Sequence, residues 1–168
     1  YVYFVRSCTR ILLPLSIVVA VFLLFRGTPM TFEGKAHYVS LQGDTVQVSR
    51  GPAAAMVAIK QLGTNGGGFY GPNSAHPLEN PDYLSNIVEN GSILLIPIAM
   101  VFALGYVLKR KRFAWMIFGV MTVGFVLLLA PTVIQEMHGN PAIAKMGVMQ
   151  SLGSMEGKEV RFGPAASA

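Results

Sequence analysis

Apolar positions fall into three long blocks separated by polar stretches. Residues 11–25 (ILLPLSIVVAVFLLF) carry no charge. Residues 93–108 (ILLIPIAMVFALGYVL) carry none either, and Pro97 and Gly105 within them are tolerated in membrane helices whose neighbours re-satisfy the backbone. Residues 114–133 (AWMIFGVMTVGFVLLLAPTV) form the longest block. Crossing about 30 Å of hydrocarbon takes roughly 20 apolar residues in a helix. The pattern therefore predicts membrane spans at about 11–25, 88–108 and 114–133. A signal peptide is the competing reading of the first block, since Arg6 and Arg10 precede it, but no small-x-small cleavage pattern follows at Arg26, Gly27, Thr28 and Pro29.

A fourth apolar stretch, PAAAMVAIKQL at 52–62, is shorter. Pro52 suits the first helical position, and the following residues are mostly strong helix formers. At 1.5 Å per residue such a helix rises about 16 Å, roughly half the bilayer core. It is expected to enter the membrane from outside and stop within it at Gly63, a natural C-terminal residue. Its negative dipole end would face a cation. Lys60, in the last turn, is expected to cap free carbonyls of its own helix.

Charge fixes the direction of the map. Only 12% of residues are charged and 52% are apolar, against about 25% charged in a soluble domain. The net charge of +5 is not a nucleic-acid signature, because the basic residues flank apolar runs rather than alternating with aromatics. Lys109, Arg110, Lys111 and Arg112 stand between two spans, which places that connection in the cytoplasm. Residues from 26 to about 85, and from 134 onward, are then extracytoplasmic. Cys8 is the single cysteine, so no internal disulfide forms. Gly-Pro-Ala-Ala at Gly51 recurs at Gly163, and Glu33-Gly34-Lys35 recurs at Glu156-Gly157-Lys158. A duplicated unit explains both. Residues 1–112 are one helix–pore–helix repeat, with pore helix 52–62 and loop 63–68, and residues 113–168 open the next. The chain starts on Tyr1 and stops within that second unit, so it reads as a fragment.

The chemistry is expected in Gly63-Thr64-Asn65-Gly66-Gly67-Gly68. Glycines reach backbone conformations closed to other residues, and successive carbonyls can then replace an ion's water shell, as in potassium filters. A flexible linker and an ordinary surface turn are the alternatives. A phosphate cradle lacks the G-x-x-x-x-G-K-[ST] spacing. His76 and Glu79 are weak metal candidates, because Pro77 breaks the helical face and no third ligand is near; hydrogen bonds holding the loop are the preferred role. Glu89, near the start of the second span, either gathers cations at a vestibule or marks the interface.

QLGTNGGGF, NSAHPLENP, RGTPMTFEGK, GNPA and MEGKEVRFG together resemble the potassium-binding A subunit of the bacterial Kdp potassium-transporting ATPase. The resemblance runs from about Arg10 to the end. It implies an all-α membrane protein of repeated transmembrane helix–pore loop–transmembrane helix units, similar to potassium channels, of which this chain looks like the second unit and the start of the third. It implies that Thr64, Asn65, Gly66, Gly67 and Gly68 supply one quarter of a K+ filter, largely through main-chain oxygens. The ion is then selected from the outer side of the bacterial inner membrane and passed to a partner P-type ATPase subunit. ATP hydrolysis belongs to that partner, since no DKTG motif occurs here. The chain itself is expected to have no catalytic residues and no organic cofactor, with K+ as transported ion and membrane lipid as surroundings. Tyr70-Gly71-Pro72 departs from the family's more usual aromatic, Asn and Ala. A passive potassium channel or symporter subunit, and a purely structural membrane subunit, are the alternative functions.

Overall fold

The computed structural model of the chain describes residues 1–40, 43–64, 67–139, 141–147, 158, 162 and 163, with Glu136 described by its backbone alone. The fold is mostly helical and divides into two units, Tyr1–Ile93 and Leu94–Ala168. Three helices, Val2–Arg26, Tyr83–Val107 and Lys111–Gln135, are long and apolar enough to cross a membrane.

The first of these is a continuous helical run made of α1 (Val2–Ser7), a π-helical turn (Cys8–Leu12) and α2 (Leu13–Arg26). Hydropathy marks only its apolar second part; the helix also takes in Arg6 and Arg10. The π turn ends two residues before Pro14, whose ring removes an amide donor and crowds the preceding turn. The run ends at Gly27, which adopts φ 104°, and the Thr28 amide reaches back to the Leu23 carbonyl at 3.0 Å. This is the Gly-terminated helix end in which the left-handed residue lets the next amide fill an orphan carbonyl.

The chain then forms an antiparallel hairpin. Strand β1 (Lys35–Val39) pairs with β2 (Thr45–Ser49), in register from Lys35 opposite Ser49 to Val39 opposite Thr45. The hydropathy pattern gave no expectation for this segment, although the alternation and β-branched residues of Thr45-Val46-Gln47-Val48-Ser49 carry a strand signal. The Arg50 amide donates to the Gly34 carbonyl at 2.7 Å, closing the hairpin base.

Helix α3 (Ala53–Leu62) follows, one residue after the Pro52 start expected from sequence; Pro52 instead takes the position just outside the helix. The Ala54 amide bonds the Pro29 carbonyl at 2.9 Å, and the Thr31 amide bonds the Gly51 carbonyl at 3.1 Å. These tie the start of α3 to the segment leaving α2. Ala54 and Val57 then pack on Leu23, with Val19 and Phe22 around them. Alanines on this face allow the two helices a close approach while removing apolar surface from solvent.

Helix α4 (Tyr83–Val107) is capped reciprocally. The Ser85 amide donates to Asp82 Oδ1 at 2.8 Å, and the Asp82 amide donates to Ser85 Oγ at 3.0 Å. Two orphan donors at the helix start are thereby satisfied. Arg26, at the end of α2, forms an ion pair with Asp82.

In the second unit, Lys109 turns the chain in a left-handed conformation, φ 54°, into α5 (Lys111–His138). A Cβ added at Gly105 would lie 2.4 Å from the Ala114 Cβ, so the small residue is what lets the turn close. Phe102 packs edge-on against Trp115 at 5.0 Å between ring centroids. A short helix, α6 (Pro141–Lys145), comes last among the described elements. Most of the expected start of the next pore region lies outside the described residues.

Candidate functional site

The site is built on the C-terminal end of α3. Gly63 ends the helix, as its sequence position predicts, in a right-handed conformation, φ −75°. The left-handed residue is Thr64, φ 57°. A β-branched side chain there costs on the order of 1–3 kcal/mol and persists only where its surroundings over-determine it. Gly67 and Gly68 follow at φ 110° and 115°, a region that only glycine enters without strain. Asn65 and Gly66 lie outside the described residues. Around Gly67 an added Cβ would meet nothing within 4 Å; at Gly68 it would meet the Lys60 side chain at 2.7 Å and the Gly71 carbonyl oxygen at 3.1 Å.

Glu79 organises the return of the chain. It is fully buried. Its Oε1 accepts from the Phe69 amide at 3.1 Å and the Tyr70 amide at 3.0 Å, and its Oε2 accepts from Lys60 Nζ at 2.9 Å. Its carbonyl accepts from Thr28 Oγ1 at 3.2 Å. Lys60 Nζ also donates to the Gly71 carbonyl at 3.0 Å. The expectation that Lys60 caps its own helix is therefore corrected. The ammonium turns away from the α3 carbonyls because a buried carboxylate offers a charge-assisted partner.

A second cluster begins one residue on. Gln61 Nε2 lies 2.7 Å from Ser74 Oγ and 3.0 Å from Glu89 Oε2. Ser74 is buried at φ 51°. Glu89 is 2% exposed, so it neither faces an open vestibule nor marks an interface in the way its sequence position suggested. Its Oε1 has no hydrogen-bond partner among the described residues. Just before and at the start of α4, Asn80 Nδ2 donates to Asn86 Oδ1 at 2.8 Å and Asn80 Oδ1 accepts from Ser85 Oγ at 2.7 Å.

Past the glycine loop, the Tyr70 ring stacks on His76 at 4.1 Å between centroids and 9° between planes. Its hydroxyl donates to the Ser49 carbonyl, joining the loop to β2. Burial first, and the Glu79 charge second, push the Tyr70 phenol up, which keeps it a donor. His76 Nδ1 accepts from the Leu78 amide at 3.1 Å. No group of three or more His, Cys, Asp or Glu residues converges as a metal centre among the described residues. His76 and Glu79 hold the loop by hydrogen bonds and stacking instead.

Of the five expected ion residues, Thr64, Gly67 and Gly68 lie together at the end of the half-length helix, in conformations that turn the chain sharply. Sequence reasoning had Glu79 holding the loop by hydrogen bonds, as it does; what it missed is the pairing of Glu79 with Lys60 and the Gln61–Glu89 contact. The available signal was chemical. Charged residues beside apolar runs, with no room for solvent, must find partners.

The family model for the potassium-transporting ATPase A subunit matches residues 1–168. A potassium-transporting ATPase potassium-binding subunit from Flavobacterium psychrophilum is 67% identical over 167 residues, covering 99% of this chain and 29% of the relative. One from Bacteroides thetaiotaomicron is 57% identical over 166 residues, with the same coverage. One from Geobacillus kaustophilus is 44% identical over 160 residues, covering 95% of this chain and again 29% of the relative. The chain thus spans less than a third of the length of these relatives. With a match running from the first residue to the last, and through both the glycine loop and the polar segment that supports it, the chain belongs to the potassium-transporting ATPase A subunit family.

Proposed function

We propose that this chain is the part of a potassium-binding subunit that carries one helix–pore–helix unit, residues 1–112, and the beginning of another, residues 113–168. K+ enters from the outer side of the bacterial inner membrane and is held by main-chain oxygens of Thr64, Asn65, Gly66, Gly67 and Gly68. It is then delivered to a partner P-type ATPase subunit, which hydrolyses ATP. This chain contributes binding and passage, not catalysis. The observation that carries the reading is the half-length helix Ala53–Leu62, which ends in a left-handed Thr64 and two left-handed glycines. Non-helical backbone at membrane depth is tolerated where it is buried in protein or lines a cavity. The relatives' names, as potassium-binding subunits, support the choice of ion.

The test is cation uptake by membrane vesicles that carry the full-length protein assembled with its partner ATPase subunit. K+ uptake that needs ATP supports the reading. Uptake without ATP supports a passive channel or symporter. A full-length protein that neither binds nor passes K+ makes the loop a packing device.

A further inference from the structure

The Lys60–Glu79 pair is buried at the ion-facing loop, with side chains 3% and 0% exposed. A buried ion pair is a weak source of stability, because desolvation offsets the attraction. Ionisable groups at membrane depth usually serve function. The placement of this pair supplies one.

Each trans peptide is planar, with its N–H and C=O pointing in opposite directions. The Phe69 amide points at Glu79 Oε1. The carbonyl of the same peptide belongs to Gly68, and it is therefore directed away from Glu79. The Tyr70 amide, bonded to the same oxygen, fixes the next peptide in the same way. Meanwhile a Cβ added at Gly68 would lie 2.9 Å from Lys60 Nζ, so the ammonium lies directly behind the loop. Left alone, that positive charge would oppose a bound cation and cancel the attraction of the α3 dipole. Glu79 Oε2, 2.9 Å from it, neutralises it.

We propose that Glu79 is a positioning residue for the Gly68 carbonyl, and that with Lys60 it sets both the cation affinity and the selectivity of the loop. The carboxylate does two separable things: one oxygen aims the peptides, the other cancels the charge. The proposal rests on the reading that residues 64–68 bind K+.

The experiment uses the full-length protein assembled with its partner ATPase subunit in membrane vesicles, with K+, Rb+ and Na+ uptake titrated separately and protein abundance measured. Glu79→Gln leaves the ammonium uncompensated, and half-saturation should rise roughly tenfold or more for every cation. Lys60→Met with Glu79→Gln is neutral and keeps an amide oxygen for the two N–H groups, so it should recover most of that loss. Lys60→Met with Glu79→Leu is also neutral but leaves the peptides unanchored. It should lose discrimination between K+ and the other cations by roughly tenfold, a readout that a merely stabilising role would not move. Wild-type discrimination in the Leu double variant overturns the proposal. Should that variant fail to insert, equal K+ half-saturation in Glu79→Gln and Lys60→Met/Glu79→Gln overturns it. A wild-type protein without K+ uptake removes the underlying reading, and the proposal with it; wild-type uptake with unaltered variants removes the proposal alone.

Discussion

The two units of the chain are held by different forces. In Tyr1–Ile93, Thr28, Lys60, Gln61, Ser74, Glu79, Asn80, Ser85, Asn86, Glu89 and Ser92 are buried, and most are joined in small hydrogen-bonded clusters: Thr28 and Lys60 on Glu79, Gln61 with Ser74 and Glu89, and Asn80 with Ser85 and Asn86. Among the described residues of Leu94–Ala168, Ala114 is buried and large apolar side chains such as Trp115, Val120 and Leu128 are exposed. The first unit carries its own polar scaffolding. The second presents apolar surface that membrane lipid or neighbouring protein must cover. Geometry that has to be exact in orientation is specified by directional bonds; a span that has only to cross hydrocarbon needs none.

The sharpest way to break this contrast is to remove the hub. Glu79→Ala strands Lys60 as an unpaired buried charge and is expected to cost about 3–5 kcal/mol. A thermal denaturation midpoint in detergent, measured on the full-length protein, should fall accordingly and K+ uptake should be lost. Next, Gly68→Ala forces a left-handed alanine, about 1–3 kcal/mol from the backbone alone, and also displaces Lys60. Gly67→Ala carries the same backbone cost but meets open space. K+ half-saturation should therefore rise more in Gly68→Ala than in Gly67→Ala, and the reverse order would mean that Lys60 yields freely.

Gly105→Ala sharpens the comparison from the other side. It brings two Cβ atoms into conflict at the α4–α5 turn and should destabilise by about 1–3 kcal/mol. Cation discrimination in uptake should stay as in the wild type, because no polar tie to the loop is touched. The smallest effect is expected from Lys35→Cys and Lys111→Cys, made after Cys8→Ser. An impermeant thiol reagent added outside should label position 35 and not position 111, with uptake unchanged before labelling. Labelling of position 111 alone would invert the proposed topology.

Hydropathy made the long helices and the half-length one legible, because their length and lack of charge are properties of composition along the chain. It could not mark the helix start at Val2, since Arg6 and Arg10 break the apolar run while leaving the helix intact. The hairpin at Lys35–Ser49 is not legible in hydropathy, because its signal lies in the alternation of Thr45 to Ser49 rather than in an apolar run. The glycine run pointed to a backbone site by composition alone. Thr64 in a left-handed conformation did not, since strain of that kind depends on what surrounds the residue. The partner of Lys60 was hidden for the same reason: a last-turn lysine fits a helix cap by local rules, and only packing brings Glu79 within reach.

The ties around the loop are also short in sequence. Those from Glu79 to Tyr70, Phe69 and Lys60 span 9, 10 and 19 residues, and those from Gln61 to Ser74 and Glu89 span 13 and 28. Closing loops of this size carries little entropic penalty, and contacts this local form fast. The support of the loop is therefore mostly local, and the longest tie, from Thr28 to the Glu79 carbonyl 51 residues away, fastens it to the end of α2.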